Sequence, residues 1–422
     1  MRYLYTLLIL LYGVALKVAA RFNQKARQWV EGRKGWLGEL EKAIAKIENT
    51  KPRVWFHVSS LGEFEQGRPI IEAFRKANPG YAIVLTFFSP SGFEVRKNYD
   101  GADLVLYLPL DTPENAKKWI GIVNPRFALF VKYDFWFNFI AELRSKKIPV
   151  YFASVIFRGN QHFFSSYGGW FRRQLGNVTW FFAQNEESVN LLKSIGRHNV
   201  TLTGDTRFDR VYAIAQNKTE YPLVRKFCGE HKVFIGGSTW KEDENLILPL
   251  IPGEGSGMKF ILAPHDTNPD RISSITSRLD RPYLLYSGLT DENVESSGIL
   301  IIDSVGILAQ LYQYATMAFI GGGFGVSIHN IQEPITFGVP VFFGPRYHKF
   351  KEAVDLIASG GAFCVESEGE LKAKVNALLK DHLIYDRMSS LCRAYVDSNR
   401  GATDLIMEHI NINSIFGKEK QY

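Results

Sequence analysis

Residues 317–343 read MAFIGGGFGVSIHNIQEPITFGVPVFF. An apolar run ends in three glycines, Gly321, Gly322 and Gly323. A polar stretch with His329, Asn330 and Glu333 then opens a helix, and a second apolar run starts at Val339. Strand, tight turn, helix and strand make up the repeating unit of a parallel sheet. Pro334 suits the first turn of the helix, where its missing N–H costs nothing. Glu333 stands three residues after Asn330, on about the same helix face. A carboxylate so placed can accept both hydroxyls of a ribose while the glycine turn admits a phosphate. A capped helix after a glycine-rich turn explains the glycines as well, but not His, Asn and Glu together.

The same alternation runs outward in both directions. Before it come VFIGG from Val233, KFILA from Lys259, YLLY from Tyr283 and ILIID from Ile299, and after it AFCV from Ala362. The first half has its own series: VWFHV from Val54, AIVLTFF from Ala82, DLVLYL from Asp103, FALFV from Phe127, PVYFA from Pro149, WFFA from Trp180 and VTLTG from Val200. Continuous apolar strands with helix-length spacers indicate parallel, doubly wound sheets covered on both faces. The expected α/β architecture is two tandem Rossmann-like domains facing a cleft, residues 21–215 and 230–422, with the polar stretch 212–229 as linker. Ligands of such sheets sit beyond the carboxyl ends of the strands, so motifs there carry the most weight.

A chain of 422 residues that is 46% hydrophobic and 22% charged can bury a sizeable core, which excludes disorder. Its net charge of +7 is contained in residues 1–60, where 11 basic side chains face 4 acidic ones. The remainder is balanced, which argues against a nucleic-acid partner. From Tyr3 to Leu16 the chain reads YLYTLLILLYGVAL and continues to Ala20, followed by Arg21, Lys25, Arg27, Arg33 and Lys34. Residues 1–20 thus read as a membrane-anchor helix with a cytoplasmic basic flank. A signal peptide would not place Lys17 at its cleavage site, and a buried first helix leaves the flank unexplained. Cys228, Cys364 and Cys392 are scattered, as buried thiols in a reducing compartment would be.

Three further segments sit at strand ends. In HVSSLGEFEQGRPII, from His57, Ser59 and Ser60 precede a helix and Glu63 falls in its first turn. Glu63 is placed either to take a proton from a substrate hydroxyl or to complete a capping box with Ser60. SPSG from Ser89 and the run Lys132 to Asn138 mix polar and aromatic groups, as a sugar or lipid acceptor site or a buried rim would. GGSTW, Gly236 to Trp240, sets glycines and hydroxyls before a helix, which fits either a phosphate site or a capped turn. It lacks the P-loop and dinucleotide fingerprints, which favours a nucleotide sugar over ATP or NAD.

Together these motifs resemble the Kdo (3-deoxy-D-manno-octulosonic acid) transferases of lipopolysaccharide biosynthesis, along the whole chain. Ser60-Leu61-Gly62-Glu63 is similar to the family's Ser-x-Gly-Glu turn, Ser89 to Gly92 to its Thr-Pro-Thr-Gly loop, and Tyr107 to Asp111 matches Tyr-Leu-Pro-Leu-Asp. Ala183 to Glu187, Gly204 to Asp209, Gly237 to Thr239 and His329 to Pro334 resemble four more of its elements, the last being the most diagnostic. The departures are Lys132 to Asn138, which keeps only Asp134, Trp136 and Asn138 of an acidic motif, Pro264-His265-Asp266, which lacks an arginine, and Arg207 in place of a lysine.

The resemblance implies a GT-B glycosyltransferase that uses CMP-Kdo, inverts the anomeric carbon and needs no metal or other cofactor. It implies a lipid A precursor as acceptor and a place on the cytoplasmic side of the inner membrane. Glu63 would be the general base, with Asp134 beside it among the catalytic candidates. Asn330 and Glu333 would hold the cytidine ribose. Gly237, Ser238, Thr239, Gly322 and Gly323, with the helix N-terminus that follows the glycines, would receive the departing phosphate. Arg207 and His265 would add donor contacts. Two alternatives remain: another GT-B enzyme using a UDP-sugar, and a membrane-tethered sugar-nucleotide-binding protein without turnover.

Overall fold

The apolar runs form two parallel sheets of seven strands each in the computed structural model, which describes residues 1–48, 50–251 and 257–411. The first sheet holds β1 (Arg53–Val58), β2 (Ala82–Phe87), β3 (Leu104–Tyr107), β4 (Pro125–Val131), β5 (Val150–Val155), β6 (Trp180–Ala183) and β7 (Val200–Leu202), in the order 3-2-1-4-5-6-7. The second holds β8 (Lys232–Thr239), β9 (Met258–Pro264), β10 (Leu284–Leu285), β11 (Ile299–Ile301), β12 (Met317–Ile320), β13 (Val341–Phe343) and β14 (Ala362–Cys364), in the order 10-11-9-8-12-13-14. Each coincides with one of the apolar runs.

Continuous apolar sequence produces these strands because both faces of the sheet are covered. In the first sheet, successive residues alternate between two cores. Trp55, Val84, Phe130 and Phe152 belong to one, and Phe56, Leu85, Leu129 and Tyr151 to the other. Removing one such ring, as in Phe130→Ala, would cost about 3–5 kcal/mol. Strand order reverses between β1 and β4 in the first sheet and between β8 and β12 in the second. The carboxyl ends of those pairs border the crevice where doubly wound sheets take their ligands.

The chain divides into a first unit, Met1–Asp209 with the segment from Arg400, and a second, Arg210–Asn399. The sequence pattern places the end of the first domain at 215 and all of 230–422 in the second. The structure instead puts the boundary inside helix Arg207–Gln216 and returns helix Ala402–Ile410 to the first unit, while residues 412–422 lie outside the described residues. Apolar burial explains the return, because Ile406, Met407 and Ile410 join the core of Val54, Phe56 and Phe127. The Asp209 carboxylate accepts the N–H groups of Gly401 (2.5 Å) and Thr403 (2.7 Å) at the start of that helix. The expected linker is largely helical, since Arg207–Gln216 and Pro222–Cys228 cover it and Val224 and Phe227 are buried.

Arg2–Ala19 is a single helix, long and apolar enough to cross a membrane. One side packs on the first unit. Tyr5 O–H donates to Asp111 Oδ2 (2.5 Å), Asn138 Nδ2 donates to Thr6 Oγ1 (3.3 Å), and Gly13 rests against Leu110. Its other side leaves Leu4, Leu7, Leu8, Leu11, Val14 and Val18 about half exposed. It is therefore not a core helix: Gly13 is its one buried residue.

Candidate functional site

In the first unit, β1 ends at Val58 and helix Leu61–Ala77 begins after Ser60. Of the two readings of Glu63, the capping box with Ser60 does not form. Ser60 makes no side-chain cap bond, and its hydroxyl donates to the Glu63 carboxylate instead. Lys132 Nζ, just past β4 with a left-handed φ of 65°, lies 3.6 Å from Glu63 Oε1. Glu63 keeps 14% of its side chain exposed, so the carboxylate is held at two points while one edge still reaches solvent. β1 and β4 are the pair at which the strand order reverses.

The departure at Lys132 to Asn138 has a structural logic. His57 is fully buried. Its Nε2 accepts from Trp136 Nε1–H (2.9 Å) and its Nδ1 pairs with Thr86 Oγ1 (2.8 Å), which fixes the proton on Nδ1 and uses up the ring. Asp134 Oδ2 lies 3.5 Å from the same Nε2, which has no proton to offer it. That buried oxygen has no donor among the described residues. Asn138 is buried and both ends of its amide are engaged within the protein: Nδ2 donates to the Asp111 carbonyl (2.8 Å) and to Thr6, and Oδ1 accepts from Arg2 Nε–H (3.3 Å). Asp111 in turn accepts the N–H groups of Asn138 and Phe139 at 3.1 and 2.9 Å. Burial outweighs these donors and pushes its carboxyl up to about 6.

Arg207 is carried by the first unit as well. It clamps Asp205 through Nε and Nη2 at 2.9 and 2.6 Å. Burial alone would raise the Asp205 carboxyl; the Arg207 guanidinium and the Arg207 N–H hold it below its ordinary range.

In the second unit, β8 and β12 lie side by side and Gly237 O accepts Gly321 N–H (2.9 Å). Gly322 sits at φ 92°, where a side chain is strained, and a Cβ on Gly323 would come within 2.6 Å of Gly344 N. Backbone is packed on backbone here. The Asp243 carboxylate ties the turn to β8 by accepting Gly322 N–H (2.9 Å) and Trp240 N–H (2.8 Å) through one oxygen. Ser238 has a left-handed φ of 52°. Thr239 is fully buried and its hydroxyl donates to Glu244 (3.1 Å), so it is not available to a phosphate. Glu244 is buried between Arg271 and Arg278 and helps hold this wall together.

Gly321 to Gly323 do not lead straight into a helix. The helix starts at Gln332, after a turn over 321–326 and an irregular stretch carrying His329 and Asn330. Asn330 Oδ1 accepts Gln332 N–H (3.0 Å) and its Nδ2 donates to Glu333 (3.2 Å), so the two expected ribose ligands are joined. Burial raises the Glu333 carboxyl and nearby Arg210 opposes it. His265 stacks between Trp240 and His329, with centroids at 4.8 and 4.4 Å. Trp240 Nε1–H donates to His329 Nε2 (3.1 Å). Burial and His265 push His329 down to about 4, so the ring is neutral at pH 7 with its proton on Nδ1. Trp240 and His329 are 89 residues apart, so no local pattern in the sequence joins them.

Among the described residues, no group of three or more His, Cys, Asp or Glu side chains is placed to hold a metal ion.

Residues 31–210 match the sequence model of the family described as 3-deoxy-D-manno-octulosonic-acid transferase (kdotransferase). A curated 3-deoxy-D-manno-octulosonic acid transferase of Chlamydia pneumoniae is 28% identical over 397 residues, covering 87% of this chain and 88% of that protein. Its counterpart in Aquifex aeolicus (strain VF5) is 28% identical over 340 residues, covering 79% and 88%. Among solved structures, UDP-GlcNAc 2-epimerase from Neisseria meningitidis bound to UDP-GlcNAc has a TM-score of 0.59 at 18% identity, covering 86% of this chain and 100% of that one. Anabaena Alr3699/HepE in complex with UDP-glucose has a TM-score of 0.51 at 11% identity, covering 85% and 99%. At such identities these two establish a shared GT-B-type fold and nothing about activity.

Proposed function

We propose, on the premise that this chain belongs to the Kdo transferase family and is a glycosyltransferase, that it moves Kdo from CMP-Kdo to a hydroxyl of a lipid A precursor, with inversion and with Glu63 as general base. The observation that carries the mechanism is the Glu63 carboxylate, in the first helical turn beyond β1, anchored by Ser60 and Lys132 with an edge open to solvent. The acceptor oxygen bonds to the anomeric carbon while its proton passes to Glu63. The bond from that carbon to the phosphate oxygen breaks, and CMP leaves with the electron pair. Lys132 offers charge to an anionic acceptor.

On the donor side, the close-packed turn Gly321 to Gly323 with Gly237 and Ser238 receives the phosphate. Asn330 and Glu333 take the ribose, and His329 offers a neutral N–H. His265 supports that ring by stacking. CMP is already a fair leaving group, so positioning, a base and anion stabilisation suffice. The exposed leucines of Arg2–Ala19 and the basic residues after them attach the enzyme to the cytoplasmic face of the inner membrane, where its acceptor resides.

The test is incubation of the purified chain with CMP-Kdo, generated in place, and a tetra-acylated lipid A precursor, read by mass spectrometry. A mass gain of Kdo units supports the reading. Stable CMP-Kdo with binding of UDP-sugars instead would sink it, and CMP binding without turnover would favour a non-catalytic protein. Deleting residues 1–20 should move the folded protein to the soluble fraction; retention on membranes would refute the anchor.

A further inference from the structure

At the opposite edge of the first sheet, where β1, β4 and β5 begin, lies a cavity of about 460 Å³. Four cations line it: Lys51 and Arg53 before and at the start of β1, Arg126 at the start of β4, and Lys147 before β5. No aspartate or glutamate is in the lining. Among the described residues, Arg53, Arg126 and Lys147 have no carboxylate within ion-pair distance; Lys51 has a loose one, Glu48, at 3.9 Å. Arg53 Nε is buried and has no hydrogen-bond partner among the described residues. The backbone around it is fixed in uncommon shapes, with Asn124 at φ 42° and Lys147 at φ 57°. Unpaired cations converging on a concave, polar surface leave a strong positive potential there.

We infer that this cavity is a second binding site, for a soluble phosphate ester or other compact polyanion. Its volume falls in the range of small-molecule pockets, about 300–1,000 Å³, well beyond a single inorganic phosphate. Lys and Arg heads around such a ligand supply charge-assisted hydrogen bonds. A lipid headgroup is disfavoured by position. The helix with the exposed leucines packs at the carboxyl edge of the sheet, on Leu110, Asp111 and Asn138, which follow β3 and β4. The cavity lies a strand length away, about 20 Å at roughly 3.3 Å per residue, and on the other edge. Its ligand therefore arrives from solution. The site does not depend on the transfer reaction proposed above.

Isothermal titration of the full chain with fructose 1,6-bisphosphate, and separately with inorganic pyrophosphate, in low salt tests it. One saturable site per chain is expected. Arg53→Gln should weaken binding at least tenfold. The double variant Arg126→Gln with Lys147→Gln, at exposed side chains that leave the core untouched, should do the same if Arg53→Gln fails to fold. Ser238→Ala, in the other unit, should change it less than twofold. Absence of saturable binding, or binding that the double variant leaves unchanged, would overturn the site. In a parallel arm, pelleting with vesicles containing 30% phosphatidylglycerol should be indifferent to the double variant. Loss of pelleting would overturn the assignment of a soluble ligand.

Discussion

The crevice beside β1 and β4 and the crevice beside β8 and β12 occupy equivalent places in two sheets with the same pattern, yet they are built from different material. The first is lined by side chains: Glu63 with Ser60 and Lys132, Asp134 with an unpartnered oxygen, and His57 locked by Trp136. In the second, backbone approaches backbone at Gly321 to Gly323, and the nearby carboxylates Asp243 and Glu244 are spent on holding main chain and arginines. A wall of side chains can be retuned one residue at a time. A wall of backbone tolerates almost no change, which is why its motif is so easily read.

The sharpest way to break this contrast is Glu63→Gln. If the first crevice acts through one titrating side chain, transfer should fall roughly 10³-fold. Affinity for CMP should stay within about threefold. Unchanged turnover would remove Glu63 as the base.

Next in size is the buried carboxyl of Asp111. Its folded pKa, about 6, lies above the ordinary 3.8, so its contribution to stability is complete below pH 3.8 and is lost as pH rises through 6. The loss is at most about 3 kcal/mol. Denaturant unfolding at pH 4 and pH 7 should show this loss, and Asp111→Asn should flatten it; equal pH dependence in both proteins would refute the assignment.

A paired substitution compares the two walls directly. Gly323→Ala drives a Cβ against Gly344 and should cost about 1–3 kcal/mol, together with most of the nucleotide affinity. Gly62→Ala, in the first turn of its helix with only Ser60 Oγ at 3.8 Å, should be neutral or slightly stabilising. Similar melting temperatures for the two variants would dissolve the distinction.

The smallest expected effect is that of Trp240→Phe. It keeps a ring on His265 but removes the donor to His329 Nε2, so the KM for the donor should rise about three- to tenfold, about 1 kcal/mol, with kcat nearly unchanged. Nitrogen NMR of His329 should then show a mixture of tautomers in place of the Nδ1–H form; an unaltered spectrum would show that Trp240 does not set it.

The strands were legible because a strand covered on both faces is a continuous apolar run, and nothing else in the sequence imitates that at this spacing. The glycine turn and the pair Asn330 and Glu333 were legible because they are local. What escaped depends on partners far apart in the chain. Thr239 looks like a phosphate ligand until Glu244 claims its hydroxyl. Ser60 and Glu63 have capping-box spacing but bond side chain to side chain. The Trp240 bond to His329 and the bond of Tyr5 to Asp111 join residues 89 and 106 positions apart. The return of helix Ala402–Ile410 to the first core follows no local signal at all.

That return sets a timetable for synthesis. The first sheet is complete at Leu202, but Ile406, Met407 and Ile410, which seal one of its cores, emerge about 200 residues later. At roughly 5–20 residues per second the ribosome needs about 10–40 s for that interval. For that time Phe56 and Phe127 lack their final cover, while the whole of Arg210–Asn399 leaves the tunnel and can fold. This late-made helix thus acts as a closing latch, and a nascent chain stalled before it would present chaperones with an open apolar face.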